Sequence, residues 1–583
     1  MASKPPDENQ SSTTSFLIPA SSASRSSGNT DTSLALPRVL GGGSRSIGGG
    51  RNPFINDKVV GVKTVFNLAG DGRSAGADAL EEVIADDHIL ALEASDGTTL
   101  IIRASKLKED LQRLYPEDAL QDGHIDLRVL RDQEAAARGI GNWIWSRLSV
   151  LKLSPDGLVE AAKDKALELL EDKLGSKATD LAYAGASWAG AKALMWAIES
   201  RLVGQPGLYH WQDTQLQPGQ RVEADNPALL DAASKGQPIL LFIHGTASST
   251  YGSFGQLRSG DDEARWDNLI HRFAGHVYGF EHRTFSESPL DNALQLARTL
   301  PAGAKISLVT HSRGGLVGDL LCLGDFDDTL VQRYQRMPVE REGEEESEQN
   351  RKLRERVVAE EQEQLRTLRQ ILQDKKFHIE RYMRVACPAS GTTLLSDNLD
   401  LFLSSLLSLL NLAVSLIPAV GTVGSTALSA FRRIVLEIAE KRIDPRLIPG
   451  IEAMLPESPL TALLAQASRC DEVKMAVIAG DADGDTGGFL KRIAIMLTDW
   501  IMFDQFDNDF VVDTQSMRAG LSRRNPTFEY YAYGPQVSHI HYFQRVETRR
   551  ALHQWLNSKE PEKLPPSMPF PPIVTSSWMR SAA

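Results

Sequence analysis

An apolar run followed by a serine between small residues constrains this chain more than any other stretch. Residues 306–309 are apolar and rich in β-branched side chains, which predicts a buried strand. Residues 316–321 are mostly apolar and compatible with a helix. Ser312 stands between these segments, two residues after Thr310 and two before Gly314, and fits the pattern G-x-S-x-G with threonine in the first small position. Such a strand-to-helix turn lifts the serine hydroxyl off the sheet and aims the following amide at a developing negative charge.

A second motif lies upstream of this turn. The apolar stretch 238–243 predicts a strand, and the sequence His-Gly-Thr follows it at 244–246. With both motifs in this order, the chain resembles the lipase-like branch of the α/β-hydrolase family, and especially its GPI-inositol deacylase-like group, over about residues 227–560. The resemblance implies an α/β-hydrolase fold with a mostly parallel sheet and a serine nucleophile that cleaves lipid-like esters. It also implies that the backbone amides of Thr246 and Arg313 form an oxyanion hole.

Two histidines lie in the loop directly after the last predicted strand, which is the aromatic run 528–533. A serine nucleophile needs a base within hydrogen-bond reach, and the family resemblance implies that this base lies in the loop after the last strand. His539 matches the motif best, because it follows a small residue and precedes the apolar start of a final helix. His541 stays the alternative.

Two aspartate clusters compete for the acid that orients the base. Asp481 directly follows the strand-like run 473–479. Asp509 lies in the sequence Asn-Asp-Phe-Val-Val at 508–512, which resembles the Asn-Asp-x-Val-Val stretch that carries the acid in lipase-like hydrolases. The family order of serine, acid and histidine fits both aspartates. We favour Asp509 and keep Asp481 as the alternative.

Composition and charge narrow the function classes. The chain has 583 residues, of which 42% are hydrophobic and 24% charged, as in globular proteins with several domains. A net charge of −13 argues against nucleic acid as a partner. The N-terminus lacks the apolar core of a signal peptide, so we expect a cytoplasmic protein.

The sequence predicts no metal site and no cofactor. The three cysteines, Cys322, Cys387 and Cys470, are far apart in apolar or helical contexts, which predicts reduced core residues. No cluster of cysteine and histidine has zinc spacing. The aspartates of 481–485 alternate with small residues, as in loops that bind hard cations, but the bidentate glutamate of an EF-hand loop is missing.

Composition shifts along the chain predict four regions. The first is a disordered tail rich in Ser, Thr, Gly and Pro, because such a composition buries too little apolar surface to offset ordering entropy. A small N-terminal α+β module and a helical region follow, and an α/β-hydrolase domain with helical cap insertions completes the chain. In order, the regions are 1–55, 56–135, 136–226 and 227–583, with a charged helical insertion at about 325–378 and an apolar cap or lid at 395–470.

The second insertion contains a long segment without charge. Residues 401–431 hold no Asp, Glu, Lys or Arg, and Pro418 interrupts a predicted helix within them. Three interpretations stay open: a buried cap over the site, a lid that contacts lipid, and a transmembrane span. The second of these predicts peripheral membrane contact through 401–424. Polar residues at helical spacing make a stripe along the helix, and they are Ser404, Ser408, Asn411 and Ser415.

The leading interpretation is a serine acyl hydrolase whose substrate is an ester or a lipid. A catalytically silent scaffold on a hydrolase fold is one alternative, although a scaffold has no need to keep Ser312, His539 and Asp509 together. A regulated effector or defence protein is another, because the extra N-terminal region provides a candidate switch. The sequence identifies no protein partner.

Overall fold

The fold is that of a computed structural model, which describes only part of the chain. The chain divides into two compact units. The N-terminal unit comprises Met1–Lys165, Leu399–Ile443 and Ile495–Asp499, and the sheet unit comprises Ala166–Asn398, Asp444–Ala494 and Trp500–Ala583. The described residues are 12–19, 25–27, 60–68, 80–86, 88–94, 99–114, 120–121, 123–127, 145–153, 205–211, 220–258, 263–324, 326–338, 348–393, 395, 402–404, 448–468, 473–481, 509, 511–521, 528–533, 537, 539 and 541–558.

Strands and helices are numbered in chain order over these residues. The strands are β1 (Thr13–Ile18), β2 (Arg25–Ser27), β3 (Val60–Asn67), β4 (Leu80–Ala85), β5 (Ile89–Ala94), β6 (Thr99–Arg103), β7 (Leu120–Gln121), β8 (His124–Asp126), β9 (Trp145–Leu153), β10 (Gly207–His210), β11 (Arg221–Val222), β12 (Pro238–Ile243), β13 (Val277–Glu281), β14 (Lys305–His311), β15 (His378–Val385), β16 (Lys474–Asp481) and β17 (Phe528–Tyr533). The helices are α1 (Ala104–Leu114), α2 (Pro227–Ser234), α3 (Thr250–Phe254), α4 (Glu263–Arg272), α5 (Pro289–Thr299), α6 (Gly314–Leu321), α7 (Asp328–Gln332), α8 (Glu348–Lys375), α9 (Pro449–Glu452), α10 (Pro459–Gln466), α11 (Thr514–Arg518) and α12 (Val546–Asn557).

The sheet unit is built on an eight-stranded sheet that is mostly parallel. Its strand order is β11-β10-β13-β12-β14-β15-β16-β17. The strands from β12 to β17 run parallel to one another, whereas β10 runs antiparallel to both β11 and β13. The unit is therefore of the mixed α/β class, and its sheet is compatible with the α/β-hydrolase-like fold that the sequence predicts.

The central strands are apolar runs buried on both faces. Every residue of β13 is buried, and in β12 and β14 only the first residue is not. Runs of this kind are typical of parallel strands whose two faces are covered, in contrast to the alternating pattern of a strand with one solvated face. This explains why the sequence locates β12 and β14 so clearly.

The strand order reverses at β12. β13 lies on one side of β12, and the chain then crosses to form β14 on the other side. Open α/β sheets bind ligands in the crevice outside the carboxyl ends of strands at such a point. Residues 244–246 follow β12 and Ser312 follows β14, so both sequence motifs lie at this edge.

The sheet begins earlier in the chain than the sequence predicts. Strand β10 pairs with β13 from Gly207 onward, although the predicted boundary of the hydrolase domain is at 227 and places β10 in a helical region. The prediction is wrong here because four residues are too few to show a strand period. Both Leu208 and Tyr209 are buried, as in the central strands.

The charged insertion contains the long helix α8. Leu365 and Leu368 on this helix are fully buried, so its apolar stripe packs inward. At its end, the Lys375 ammonium donates to the carbonyls of Ala297 at 3.0 Å and Leu300 at 2.7 Å, which closes the C-terminus of α5. The predicted charged helical insertion therefore packs on the sheet unit through one face of α8.

The N-terminal unit contains two further sheets and helix α1. The strand orders are β4-β1-β8-β7 and β2-β3-β9-β5-β6. All pairs are antiparallel except β1 with β8. The described part of this unit is thus an α+β structure.

Two predictions fail in the N-terminal unit. Thr13–Ile18 forms β1, although the sequence predicts a disordered tail over 1–55, because Phe16 and Ile18 alternate with more exposed residues and reach the core. Trp145–Leu153 forms β9 within the region that the sequence predicts as helical. Its alternating apolar residues are also compatible with one face of a short helix, and pairing with β3 and β5 decides the outcome.

Part of the uncharged segment belongs to the N-terminal unit. Phe402, Leu403 and Ser404 are buried, and the Ser404 hydroxyl bonds to the Ile101 amide at 3.1 Å and the Ile101 carbonyl at 3.2 Å. The remainder of 401–424 lies outside the described residues, so the cap and lid interpretations stay predictions. In the part of the chain that the structure describes, no helix has both the length and the apolar character to cross a bilayer.

Candidate active site

Ser312 occupies the turn between β14 and α6 in a strained backbone conformation. Its φ is +54°, in the left-handed region that residues with side chains rarely adopt. The Ser312 amide donates to the Val385 carbonyl of β15 at 2.9 Å, which holds the turn against the sheet. Thr310, which replaces the first glycine of the G-x-S-x-G pattern, lies inside β14. The residue with the strained backbone is Ser312, so the threonine does not have to adopt that conformation. Strain of this kind costs about 1–3 kcal/mol and concentrates at functional sites, which marks Ser312 as a candidate nucleophile.

Two glycines let this turn approach β12 closely. A Cβ on Gly245 would lie 2.7 Å from the Ser312 Cβ, and a Cβ on Gly314 would lie 2.4 Å from the Ile243 carbonyl oxygen. A larger residue at either position would push the backbone apart. The close approach sets the peptide that joins Gly245 to Thr246 beside Ser312.

His539 lies within hydrogen-bond distance of both Ser312 and Asp509. Its Nε2 is 2.7 Å from Ser312 Oγ, and its Nδ1 is 2.9 Å from Asp509 Oδ2. All three side chains are buried: Ser312 is 4% exposed, His539 3% and Asp509 0%. The structure thus brings together the three residues that the sequence selects first, across 227 positions of sequence between serine and histidine.

Asp509 is held by four donors. Its Oδ1 accepts the amides of Val511 at 3.2 Å and Val512 at 2.9 Å, and its Oδ2 accepts the Tyr542 hydroxyl at 3.0 Å besides His539 Nδ1. An ionised carboxylate only accepts hydrogen bonds, so this set of donors suits the charged form. The orientation of the carboxylate toward His539 is therefore fixed by the fold.

The two alternative residues lie outside this array. Asp481 ends β16, is partly exposed, and accepts the Tyr531 hydroxyl at 3.2 Å. His541 follows the base by two residues, and burial lowers its pKa to about 4. The contacts of Ser312 and Asp509 are made by His539 and not by His541.

Arg313 directly precedes α6 as its N-cap residue and is fully buried. Its guanidinium donates to the Asn292 side-chain oxygen at 2.9 Å and to the carbonyls of Gly450 at 3.1 Å and Glu287 at 2.5 Å. The side chain is thus engaged in joining α6 to the start of α5 and to α9. The predicted oxyanion-hole role of Arg313 involves only its backbone amide, which directly follows Ser312 in the chain.

Thr246 lies in a strained turn after β12. The next residue, Ala247, has a φ of +53°, and its amide donates to the Thr284 hydroxyl at 3.0 Å. The Thr246 hydroxyl points to Met454, with 3.5 Å between Oγ1 and Sδ. Met454 is therefore an apolar neighbour of this turn.

Two residues of the site were not selected from the sequence. Tyr542 bonds to Asp509, and the His311 ring lies 2.7 Å by its Nε2 from the His539 carbonyl. His311 directly precedes Ser312, and Tyr542 directly follows His541. Adjacency is the only signal that the sequence offers for them.

The described residues contain no group of three or more His, Cys, Asp or Glu arranged to hold a metal ion. Cys322 and Cys387 are buried and free, in agreement with the prediction of reduced core residues. Cys470, Asp483 and Asp485 lie outside the described residues.

Fold and site together define a mixed α/β unit that carries a Ser-His-Asp hydrogen-bonded array at the point where its sheet reverses. The chain matches the family model described as Domain of unknown function (DUF7379) over residues 205–337 and 356–557, more than half of its length, and belongs to that family. No curated protein matches the sequence significantly. Among solved structures, lipase 1 from Pelosinus fermentans is similar with 12% identity and a TM-score of 0.33, over 55% of this chain and 98% of the lipase.

Proposed function

We propose that the protein is a serine hydrolase that cleaves carboxylic esters. In this proposal Ser312 is the nucleophile, His539 the general base and Asp509 the residue that orients the base. The observation that carries the proposal is the continuous array of hydrogen bonds, 2.7 Å from Ser312 to His539 and 2.9 Å from His539 to Asp509. The strained backbone of Ser312 supports it independently.

The first half-reaction forms an acyl-enzyme. Ser312 Oγ attacks the ester carbonyl while His539 Nε2 takes its proton, and Asp509 stabilises the resulting imidazolium through Nδ1–H. The amides of Thr246 and Arg313 would donate to the oxyanion of the tetrahedral intermediate, which is worth about 3–4 kcal/mol per donor in comparable sites. His539 then gives the proton to the alcohol as it leaves.

The second half-reaction releases the acid. Water enters where the alcohol was, His539 accepts one of its protons, and the hydroxide attacks the acyl carbonyl. Collapse of the second tetrahedral intermediate returns the proton from His539 to Ser312 Oγ. The protein ends in its starting state, with one ester bond broken and one water consumed.

The proposed substrate class is an ester with an apolar acyl group. Met454 borders the turn whose Thr246 amide would hold the oxyanion, so an acyl chain bound there meets an apolar wall. Ser312 is only 4% exposed, so substrate reaches its hydroxyl after neighbouring residues move. Both features favour lipid-like esters presented at an interface.

The test is covalent labelling with a fluorophosphonate probe, with and without detergent micelles. Wild type and Ser312→Ala are compared with Ser234→Ala, which removes an exposed hydroxyl on α2. We expect wild type and Ser234→Ala to label equally and Ser312→Ala to lose both label and ester hydrolysis, the latter by about 10⁴-fold or more. Labelling of Ser312→Ala at the wild-type rate would rule out this nucleophile. A wild type that neither labels nor hydrolyses esters under either condition would favour the silent scaffold.

A further inference from the structure

His539 is held at its backbone as well as at its ring. Its amide donates to the Asp509 carbonyl at 3.1 Å. Its carbonyl lies 2.7 Å from the Nε2 of His311, the residue before the nucleophile. Because a carbonyl only accepts, His311 Nε2 carries the hydrogen and donates it. The base is thus fixed at both peptide groups and both ring nitrogens.

The other nitrogen of His311 faces a hydroxyl. Ser253 Oγ lies 3.3 Å from His311 Nδ1, and with Nε2 protonated this nitrogen accepts from Ser253. Ser253 Oγ in turn lies 3.0 Å from Ser248 Oγ, in the loop that follows Thr246. The imidazole therefore links the loop after β12 to the loop that carries the base.

His311 stays neutral in this environment. Burial lowers its pKa to about 3, and the neighbouring imidazoles of His539 and His244 act in the same direction. Phe254 and Phe543 pack against its ring in T-shaped arrangements, with centroids 6.4 and 5.9 Å away. A neutral donor of fixed tautomer is suited to holding a backbone group without competing for the proton that His539 moves.

We propose that His311 is a positioning residue for the base, an inference that rests on the proposed function. Its Nε2–H holds the His539 carbonyl so that the imidazole of His539 stays in line between Ser312 and Asp509. Without this bond the backbone of the base loop can shift while the Asp509 contact persists. A displacement of about 1 Å in a catalytic group is enough to reduce turnover by about 100-fold.

The test compares His311→Gln with His311→Asn. Glutamine sets its amide nitrogen near the position of Nε2 and can still donate to the His539 carbonyl, whereas asparagine sets it near Nδ1 and can reach only Ser253. We expect His311→Asn to lower kcat about 100-fold with little change in KM. His311→Gln should retain most of the wild-type kcat. The matched control is His210→Asn, because His210 Nε2 makes the same 2.7 Å bond to the Gly275 carbonyl at the edge of the sheet.

Turnover is expressed per fluorophosphonate-labelled site, so that partly unfolded protein does not count. Equal kcat in His311→Gln and His311→Asn, with the contrast between wild type and Ser312→Ala intact, would overturn the positioning role and leave the proposed function standing. Loss of the contrast at Ser312 would instead overturn the proposed function. A similar loss of kcat in His210→Asn would show that losing any such histidine hydrogen bond lowers turnover through general destabilisation. That outcome would also contradict the positioning role.

Discussion

Tyr542 donates its hydroxyl to the same oxygen of Asp509 that accepts Nδ1 of His539. The two distances to Oδ2 are 3.0 Å and 2.9 Å. The second carboxylate oxygen is occupied by two backbone amides. Tyr542 therefore completes the set of donors that stabilises the ionised carboxylate and limits its rotation.

Tyr542→Phe should lower kcat about tenfold and leave KM unchanged. A hydrogen bond to a charged group contributes about 1.5–3 kcal/mol, and only part of this is expressed in the transition state. The measurement is steady-state ester hydrolysis. Tyr209→Phe is the control, because the Tyr209 hydroxyl donates to the Gln205 carbonyl at 2.6 Å, outside the array. An equal decrease in both variants would assign the effect to packing.

The choice between the two aspartates gives a second prediction. Asp509→Asn should lower kcat by about 10⁴-fold, because an amide at this position favours the wrong tautomer of His539. Asp481→Asn should retain most of the activity, because Asp481 bonds to Tyr531 at the end of β16. Thermal melting of both variants checks that they are folded. The reverse order of activities would move the acid to Asp481.

Much of the sheet unit could be predicted because its signals are local. The strand around 305–311 and the serine after it follow from a short apolar run and small neighbours. His539 was selected through a family resemblance, because no local rule pairs residues 227 positions apart. Asp481 directly follows an apolar run and Asp509 directly precedes one, so the local pattern alone does not decide between them. The resemblance favours Asp509, and the contact of Asp509 with His539 distinguishes the two.

Other features depend on contacts that the sequence does not display. β1 lies in a stretch whose Ser and Thr content predicts disorder, and pairing with β4 and β8 orders it. β9 has a pattern that fits two periods, and only its neighbours in the sheet select the strand. The roles of His311 and Tyr542 likewise depend on packing. Histidine and tyrosine also occur in cores without such roles, so the residue types alone do not indicate them.

A buried ion pair between β15 and α6 gives a third prediction. Arg384 on β15 lies 2.5 Å from Asp319 on α6, and both side chains are fully buried. Arg384→Met should lower the free energy of unfolding by about 3–5 kcal/mol, because it removes the opposite charge while the Asp319 carboxylate stays buried. The double variant Arg384→Met with Asp319→Leu should recover much of this loss.

Urea unfolding measures these changes. Lys235→Met is the control, because Lys235 and Asp231 form an exposed pair at 2.7 Å that should contribute less than about 1 kcal/mol. If Arg384→Met changes stability as little as Lys235→Met, the buried pair does not join β15 to α6 in the way described. A double variant less stable than Arg384→Met would contradict the expected relief.

The last prediction concerns the pH dependence of stability. Burial raises the pKa of Asp513 from 3.8 to about 6, although the amide and hydroxyl of Thr393 both donate to it, and the charge of Asp509 adds to the increase. Between these two pKa values the folded protein binds one proton that the unfolded chain has released. Stability from this group is therefore present below pH 4 and is lost as the pH rises to about 6, by up to about 3 kcal/mol.

Asp513→Asn should remove this pH dependence while keeping an acceptor for Thr393. Relative to wild type, the variant should gain up to about 3 kcal/mol of stability above pH 6, and this difference should vanish toward pH 4. Urea unfolding at a series of pH values gives both curves. Asp267→Asn is the control, because Asp267 is exposed on α4 and loses little solvation on folding. A variant less stable than wild type at pH 7 would contradict this prediction. It would mean that the ionised carboxylate of Asp513 stabilises the folded protein.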